Sequence, residues 1–124
     1  MRFSTCPTCD QVFVIVVDKE KPVSCCDNET IALQSKRKKS ENHDDEHTPI
    51  VRKTGNFVTI RVNEKHPMIK THHISMMLVE TNKGFQFKNI RPKDEPKADF
   101  ILANGETIKN VYVYCNVHLL WSLH

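Results

Sequence analysis

Alternating apolar and polar residues mark the C-terminal two thirds of this chain. The stretches 58–62, 74–78 and 111–115 each place an apolar residue at every second position, which is the period of a half-buried β-strand. Shorter apolar segments at 85–87 and 100–102 lie between polar turns. Because no segment shows a convincing helical period, we predict antiparallel strands packed as a sandwich or a barrel.

The same pattern predicts which side chains face the core and where the chain reverses. Ile74, Met76 and Leu78 occupy alternate positions and are expected to face inward together. Asn104-Gly105 follows an apolar segment and is the dipeptide most typical of a two-residue β-hairpin. We therefore predict a hairpin at that point of the sandwich.

The first 34 residues follow a different pattern. A β-branched run at 12–17 predicts one strand, with a Cys-x-x-Cys pair before it and an adjacent cysteine pair after it. About thirty residues cannot bury enough surface to fold unaided, so a metal bound by four thiolates is expected to stabilise this region. Tetrahedral thiolate coordination suits zinc or a single iron. The candidate ligands are Cys6, Cys9, Cys25 and Cys26.

A segment without apolar residues separates the two regions. It is basic at 36–39 and acidic at 44–46, which predicts a solvated linker or a long loop over 35–46. The basic cluster is more typical of a solvated surface than of a nucleic-acid patch. We therefore divide the chain into a metal-binding module at 1–34, this linker, and a domain at 47–124.

Composition narrows the class of protein. With 124 residues the chain forms one ordinary domain, or one domain with a small appendage. The longest apolar run is far shorter than the roughly 20 residues that span a membrane, and the N-terminus lacks a signal peptide's apolar segment, so we expect a cytoplasmic protein. A net charge of +3 is too small to indicate nucleic acid and suits a small anion better. Five cysteines in such a protein favour metal ligands over disulfides.

A second set of candidate ligands centres on the C-terminus. Cys115 and His118 lie three residues apart, shortly before the only tryptophan, Trp121. A sulfur and a nitrogen ligand suit a transition metal, but two ligands cannot hold one. A lone histidine is more often a surface or core residue, yet several histidines flank strand ends, where the loops of a sandwich converge. The further candidates are His47, His66 and His72.

Three other histidines are weaker candidates. If the strand at 74–78 alternates as predicted, His72 lies on its inward side and His73 points the other way. We therefore prefer His72 as the ligand. His43, within the charged segment, and the terminal His124 are expected to be solvated.

Together these motifs resemble the superoxide reductases, specifically the two-iron desulfoferrodoxin type. The Cys-x-x-Cys and Cys-Cys pairs resemble the desulforedoxin-like module, in which four cysteines bind one iron. The stretches His47-Thr-Pro, His66-Pro-Met and Cys115-Asn-x-His118 resemble the three that carry the catalytic iron. The resemblance covers nearly the whole chain, and the last two motifs are highly specific in this order.

The resemblance implies an immunoglobulin-like sandwich for the C-terminal domain and two mononuclear iron sites. The catalytic iron would have four imidazoles in a plane, an axial thiolate and an open sixth position: His47, His66, His72 and His118, with Cys115. The implied reaction is one-electron reduction of superoxide to hydrogen peroxide, with a rubredoxin-like protein as electron donor and a homodimer as the assembly. An iron electron-transfer protein and a structural zinc protein are the alternatives.

Departures from the family pattern affect the catalytic expectations. Family members usually carry Glu-Lys before the first histidine, the lysine assisting superoxide attraction and the glutamate binding the oxidised iron, whereas this chain has Asp45 and Glu46. We expect one of these carboxylates to bind ferric iron, and Lys70 or the 36–39 cluster to attract superoxide. Leu119 follows His118 where the family commonly has glycine, so we expect a changed loop there.

Overall fold

The computed structural model describes residues 1–37 and 46–124, and every regular element within these ranges is a β-strand. The all-β prediction is therefore confirmed for this part of the chain. The described residues form two compact units, Met1–Gln34 and Ser35–His124. Within the same ranges no helix is long and apolar enough to cross a membrane.

The first unit contains five short strands. They are β1 (Arg2–Thr5), β2 (Val12–Ile15), β3 (Ser24–Cys25), β4 (Asn28–Glu29) and β5 (Ile31–Leu33). A three-stranded antiparallel sheet has the order β2-β1-β5, and β3 and β4 form a separate two-stranded hairpin.

The predicted strand at 12–17 is shorter than its apolar run. Arg2, the first residue of β1, pairs with Ile15, the last residue of β2. Val16 and Val17 lie beyond this pairing and are 71% and 72% exposed. The β-branched composition predicted the strand but not the residue at which it ends.

The second unit is an antiparallel sandwich of two sheets, as predicted. One sheet has the order β10-β7-β6 and the other the order β12-β11-β8-β9. The strands are β6 (Ile50–Thr54), β7 (Phe57–Arg61), β8 (Ile74–Thr81), β9 (Gly84–Asn89), β10 (Lys97–Ile101), β11 (Ile108–Cys115) and β12 (Leu119–Ser122). Alternate side chains of both sheets form one buried core, which includes Val58, Ile60 and Phe100 from the first sheet and Met77, Val111 and Val113 from the second.

A β-bulge lies at the start of β8. Cys115 pairs with Ile74, whereas the preceding residue, Tyr114, pairs with Met76. Ser75 is thus one extra residue on β8 between two successive pairs. An extra residue in one strand of an antiparallel pair moves every following side chain to the opposite face.

This bulge makes the predicted inner face of β8 wrong. Ile74 lies in the core shared by both sheets, together with Met77 and Val79, whereas Met76 and Leu78 are outside it, although Leu78 is also buried, at 1% exposure. The extra residue is a serine, which is compatible with the polar positions of simple alternation. Apolar periodicity therefore could not show that the strand changes register after Ile74.

The predicted hairpin at Asn104-Gly105 is also wrong, although a tight turn is present. Glu106 donates its backbone N–H to the carbonyl oxygen of Ala103 at 3.1 Å, and Gly105 has φ 80°. However, β10 pairs with β7 and β11 pairs with β8, so the turn passes from one sheet to the other. A turn dipeptide specifies the local backbone, not the sheet that the next strand joins.

Side-chain hydrogen bonds hold the chain after this turn against the β8–β9 connection. The Glu106 carboxylate accepts from the Thr81 hydroxyl and from the Ala103 backbone N–H at 2.9 Å. Asn82 accepts from the Thr107 backbone N–H at 2.8 Å. These contacts direct β11 to β8 and away from β10.

Replacement of Glu106 tests this clamp through its pH dependence. The Thr81 hydroxyl, and then the Ala103 N–H, stabilise the carboxylate and lower the pKa of Glu106. Because the folded-state pKa lies below the unfolded value of about 4.3, the contribution to stability is present above that pH and is lost as the pH falls through the folded pKa. We expect Glu106→Gln to lower the urea midpoint at pH 7. We also expect its stability to fall less than that of the wild type as the pH is lowered.

The exposed Glu95 provides the matched control, because Glu95→Gln removes one carboxylate without touching this turn. Urea denaturation at several pH values should leave that variant parallel to the wild type. Parallel curves for Glu106→Gln and the wild type would contradict the assigned clamp.

Candidate metal centres

The four N-terminal cysteines form the first candidate metal site. Their sulfur atoms all lie within 4.8 Å of one another. Cys25 Sγ is 3.7 Å from Cys9 Sγ and 3.9 Å from Cys26 Sγ. A tetrahedral centre with metal–sulfur bonds of about 2.3 Å has sulfur–sulfur edges of about 3.8 Å, so these spacings fit a zinc or iron ion.

The adjacent cysteine pair follows from the hairpin between β3 and β4. Cys25 pairs with Asn28, which leaves Cys26 and Asp27 as a two-residue turn. Both have positive φ, 52° and 63°, and a type I′ turn needs positive φ at both central residues. The turn thus presents two neighbouring thiols to the same group, which resolves the unusual spacing seen in the sequence.

Binding of a metal ion to these four thiols is coupled to the loss of their protons. The backbone N–H of Cys9 is the main cause that lowers the pKa of Cys6, to about 6. Hydrogen bonding to Cys6, followed by burial, raises the pKa of Cys25 to about 12. At neutral pH the thiols therefore do not all ionise by themselves, and a metal that binds all four must displace protons.

The second candidate site lies at one end of the sandwich. The ligand atoms of His47, His66, His72, Cys115 and His118 all lie within 4.8 Å of one another. One histidine precedes β6, one follows β7 and one precedes β8, while the cysteine ends β11 and the last histidine lies in the β11–β12 turn. Both sheets therefore contribute ligands to this group.

The four imidazole rings form a closed cycle. His47 lies 4.6 Å from His66 and 4.7 Å from His118 between ring centroids. His72 lies 4.9 Å from His66 and 5.0 Å from His118. Each ring thus neighbours two others at nearly equal spacing, as four nitrogen ligands around one ion would. Cys115 Sγ lies 3.8 Å from His118 Nδ1.

The buried His66 ring presents an unprotonated nitrogen to the group. His66 Nδ1 is 2.7 Å from the carbonyl oxygen of Pro67, and since a carbonyl only accepts, Nδ1 carries the hydrogen and Nε2 the free lone pair. Burial lowers the pKa of His66 and favours its neutral form. That lone pair lies 2.9 Å from His47 Nε2.

One buried nitrogen requires a further partner. His72 Nε2 is buried and has no hydrogen-bond partner among the residues that the structure describes. A buried polar atom without a partner costs about 1–3 kcal/mol. A cation bound within the group would satisfy this atom.

The cysteine lies on the protein side of the group. Cys115 is 0% exposed, and its sulfur accepts the backbone N–H of His118 at 3.4 Å. Such a donor stabilises negative charge on sulfur. His118 itself is exposed, so the group is closed on its thiol side and reaches solvent on the other.

A family model described as Desulfoferrodoxin matches residues 35–124. The chain belongs to the desulfoferrodoxin family. A relative named desulfoferrodoxin homolog from Archaeoglobus fulgidus is 27% identical over 98% of this chain and 95% of its own. Another of the same name, from Methanothermobacter thermautotrophicus, is 28% identical over 94% and 92%.

Solved structures agree with this membership. The crystal structure of the superoxide reductase from Treponema pallidum covers 98% of this chain and 95% of that one, with a TM-score of 0.81 and 25% identity. The superoxide reductase (1Fe-SOR) from Giardia intestinalis covers 64% of this chain and 95% of that one, with a TM-score of 0.53 and 30% identity. The nearly complete coverage by the first supports the two-domain desulfoferrodoxin type.

Asn116 holds two ligand loops of this family member together, a role that sequence reasoning missed. Its side-chain amide donates to the Thr71 carbonyl at 3.0 Å, and its Oδ1 accepts the His73 backbone N–H at 2.8 Å. The residue between its partners is His72. Asn116 belongs to the Cys-Asn-x-His motif noted in the sequence, but its hydrogen-bond partners are distant in the sequence and only the structure shows them.

Leu119 adopts the backbone conformation that favours glycine. Its φ is 67°, in the left-handed region, and it pairs with Cys115 as the first residue of β12. The turn that carries His118 therefore closes despite the β-carbon of leucine. The side chain is 37% exposed, which lets it point away from the core.

The residues predicted to assist the reaction without being permanent metal ligands are Asp45, Glu46 and Lys70. Asp45 lies outside the described residues, as does His43. Glu46 immediately precedes His47, and its charge raises the pKa of His66 against the larger lowering caused by burial. Lys70 is exposed on the turn that joins Ile69 to His72.

Separate replacement of the two adjacent histidines tests the ligand assignment. Loss of the unpartnered Nε2 in His72→Ala should weaken metal binding about 10-fold or more. His73 hydrogen bonds to the Ile69 carbonyl through Nδ1, at 3.1 Å, so His73→Ala should retain the metal. Metal content after dialysis against a chelator measures the difference. Equal retention by both variants would remove His72 from the proposed ligand set.

Proposed function

We propose that this chain is a superoxide reductase, which transfers one electron to superoxide and produces hydrogen peroxide. The observation that carries the proposal is the closed cycle of four imidazoles beside a buried thiol. Similarity to the Treponema pallidum superoxide reductase over 98% of this chain supports it. The reaction consumes one electron and two protons for each superoxide.

The donor set suits one mononuclear iron. Imidazole nitrogen and thiolate sulfur are both ligands of iron, and the five donors lie within reach of one ion. Ferrous iron bound here would supply the electron that reduces superoxide. The proposed ligands are His47, His66, His72 and His118, with Cys115.

The charge and exposure of these residues favour a small anion. Four neutral imidazoles and one thiolate leave a divalent cation with a net positive charge, which attracts superoxide. The buried Cys115 thiolate donates electron density from the protein side, which favours loss of an electron from the metal. The exposed His118 side is where superoxide and solvent protons would approach.

The four-cysteine group is the proposed second iron site. Its sulfur spacing fits a tetrahedral ion, and the chain's membership of the desulfoferrodoxin family favours iron over zinc. The rubredoxin-like electron donor, the homodimer and the cytoplasmic location stay predictions from the family resemblance.

Stopped-flow mixing of the reduced protein with superoxide tests the proposed reaction. We expect rapid oxidation of the C-terminal site and one hydrogen peroxide per electron, without release of dioxygen. Cys115→Ser should lose this reaction while the N-terminal cysteines keep their metal. A protein that only transfers electrons, or that holds zinc in both sites, would not be oxidised by superoxide. Dioxygen release would indicate dismutation and contradict the proposal.

Glu46 is the proposed ligand of the oxidised metal. It adjoins His47 in the sequence, and its carboxylate acts electrostatically on His66. We expect Glu46→Ala to shift the ferric absorption band and to change the pH dependence of that band, whereas Glu95→Ala should change neither. An unaltered ferric spectrum in Glu46→Ala, together with a shifted spectrum in Asp45→Ala, would transfer the role to Asp45.

A further inference from the structure

Lys36 is fixed to the strand that carries the tryptophan of the metal site. Its backbone N–H donates to the Leu120 carbonyl and its carbonyl accepts from the Ser122 N–H, both at 2.9 Å. The Ser122 and Ser35 hydroxyls also form a hydrogen bond, at 2.9 Å. The position of residue 36 is thus set by backbone pairing, which does not depend on its side chain.

The Lys36 side chain reaches the turn that carries His118. Its Nζ lies 3.4 Å from the carbonyl oxygen of His118 and 5.7 Å from the centroid of the Trp121 ring. A cation over an aromatic face is attracted to the negative face of the ring. Lys36 therefore holds a positive charge at the exposed turn that presents His118.

Trp121 connects this charge to a second ligand of the group. Its indole N–H donates to the same His118 carbonyl at 3.0 Å, and its ring stacks on His47 with centroids 4.9 Å apart and planes 15° apart. Two donors thus converge on one carbonyl, and the ring under the ammonium lies flat on an imidazole ligand. The Lys36 charge is therefore part of the site's surroundings.

Two other charged residues that the structure describes, Glu46 and Lys70, lie next to proposed ligands in the sequence or on their turns. The residue before His47 is the acidic Glu46, which repels anions. Lys70 is exposed on the turn that two backbone hydrogen bonds between Ile69 and His72 close, at 3.0 and 3.1 Å. Of the two considered lysines that the structure describes, Lys36 and Lys70, it is Lys36 whose ammonium lies beside the His118 carbonyl and over the Trp121 ring that stacks on His47.

We infer that Lys36 attracts the anionic substrate to the metal site. This inference rests on the proposed superoxide reduction for its substrate. A fixed cation at the mouth of a site raises the local anion concentration and the association rate. The effect weakens as salt shortens the range of the charge.

Fluorescence quenching of Trp121 measures this charge without the reaction. Because the chain has one tryptophan, quenching of the full-length holoprotein by iodide, an anion, reports the potential at that ring. We expect Lys36→Met to lower the iodide quenching constant about twofold at low salt and to leave quenching by neutral acrylamide unchanged. Lys36→Arg should restore the wild-type value.

Lys88 supplies the matched control. Its Nζ lies 5.5 Å from the Phe100 centroid, and β9 is at the opposite edge of the sheet from β12. Lys88→Met removes the same charge from a similar contact and should leave iodide quenching unchanged. If Lys36→Met matches the wild type, or if Lys70→Met alone lowers the iodide constant, the inference is wrong.

The salt dependence of the superoxide reaction completes the test. At low ionic strength Lys36→Met should react about 3- to 10-fold more slowly than the wild type, and its rate should fall less steeply with added salt. Equal rates at every ionic strength would overturn the role of Lys36 while leaving superoxide reduction intact. If the wild type itself does not react, the proposed function fails, and iodide quenching still decides whether Lys36 attracts anions.

Discussion

Electron-rich ligand atoms crowd together at one end of the sandwich, and this crowding is unfavourable unless a cation lies among them. Five donor atoms lie within 4.8 Å, one buried imidazole nitrogen has no partner among the described residues, and burial keeps His66 neutral. A metal bound among them would satisfy all of these atoms at once. The loops around the group are organised to keep the donors together.

Both sheets of the sandwich contribute donor residues to this group. His47 and His66 flank β6 and β7 of one sheet, whereas His72, Cys115 and His118 flank strands of the other. An ion bound by all five would join the ends of the two sheets. The metal is therefore expected to stabilise the fold as well as to support the chemistry, because binding to the folded state alone adds to stability.

Sequence patterns predicted the β class and singled out the same residues that the structure brings together. They could not show the bulge at Ser75, because a serine is compatible with the polar positions of a regular strand. Asn104-Gly105 predicted a turn but not that it joins different sheets. Lys36 belongs to a segment predicted to be solvated, yet its backbone pairs with β12. These misses share one cause, since each depends on a partner that is distant in the sequence.

We propose that the chain carries two different mononuclear iron sites, one with four thiolates and one with four imidazoles and a thiolate. Mössbauer spectroscopy of protein grown with iron-57 distinguishes two such sites. We expect two iron spectra of equal area, with Cys115→Ser changing only one of them and Cys9→Ser only the other. A single iron environment, or a Cys115→Ser spectrum identical to that of the wild type, would contradict it.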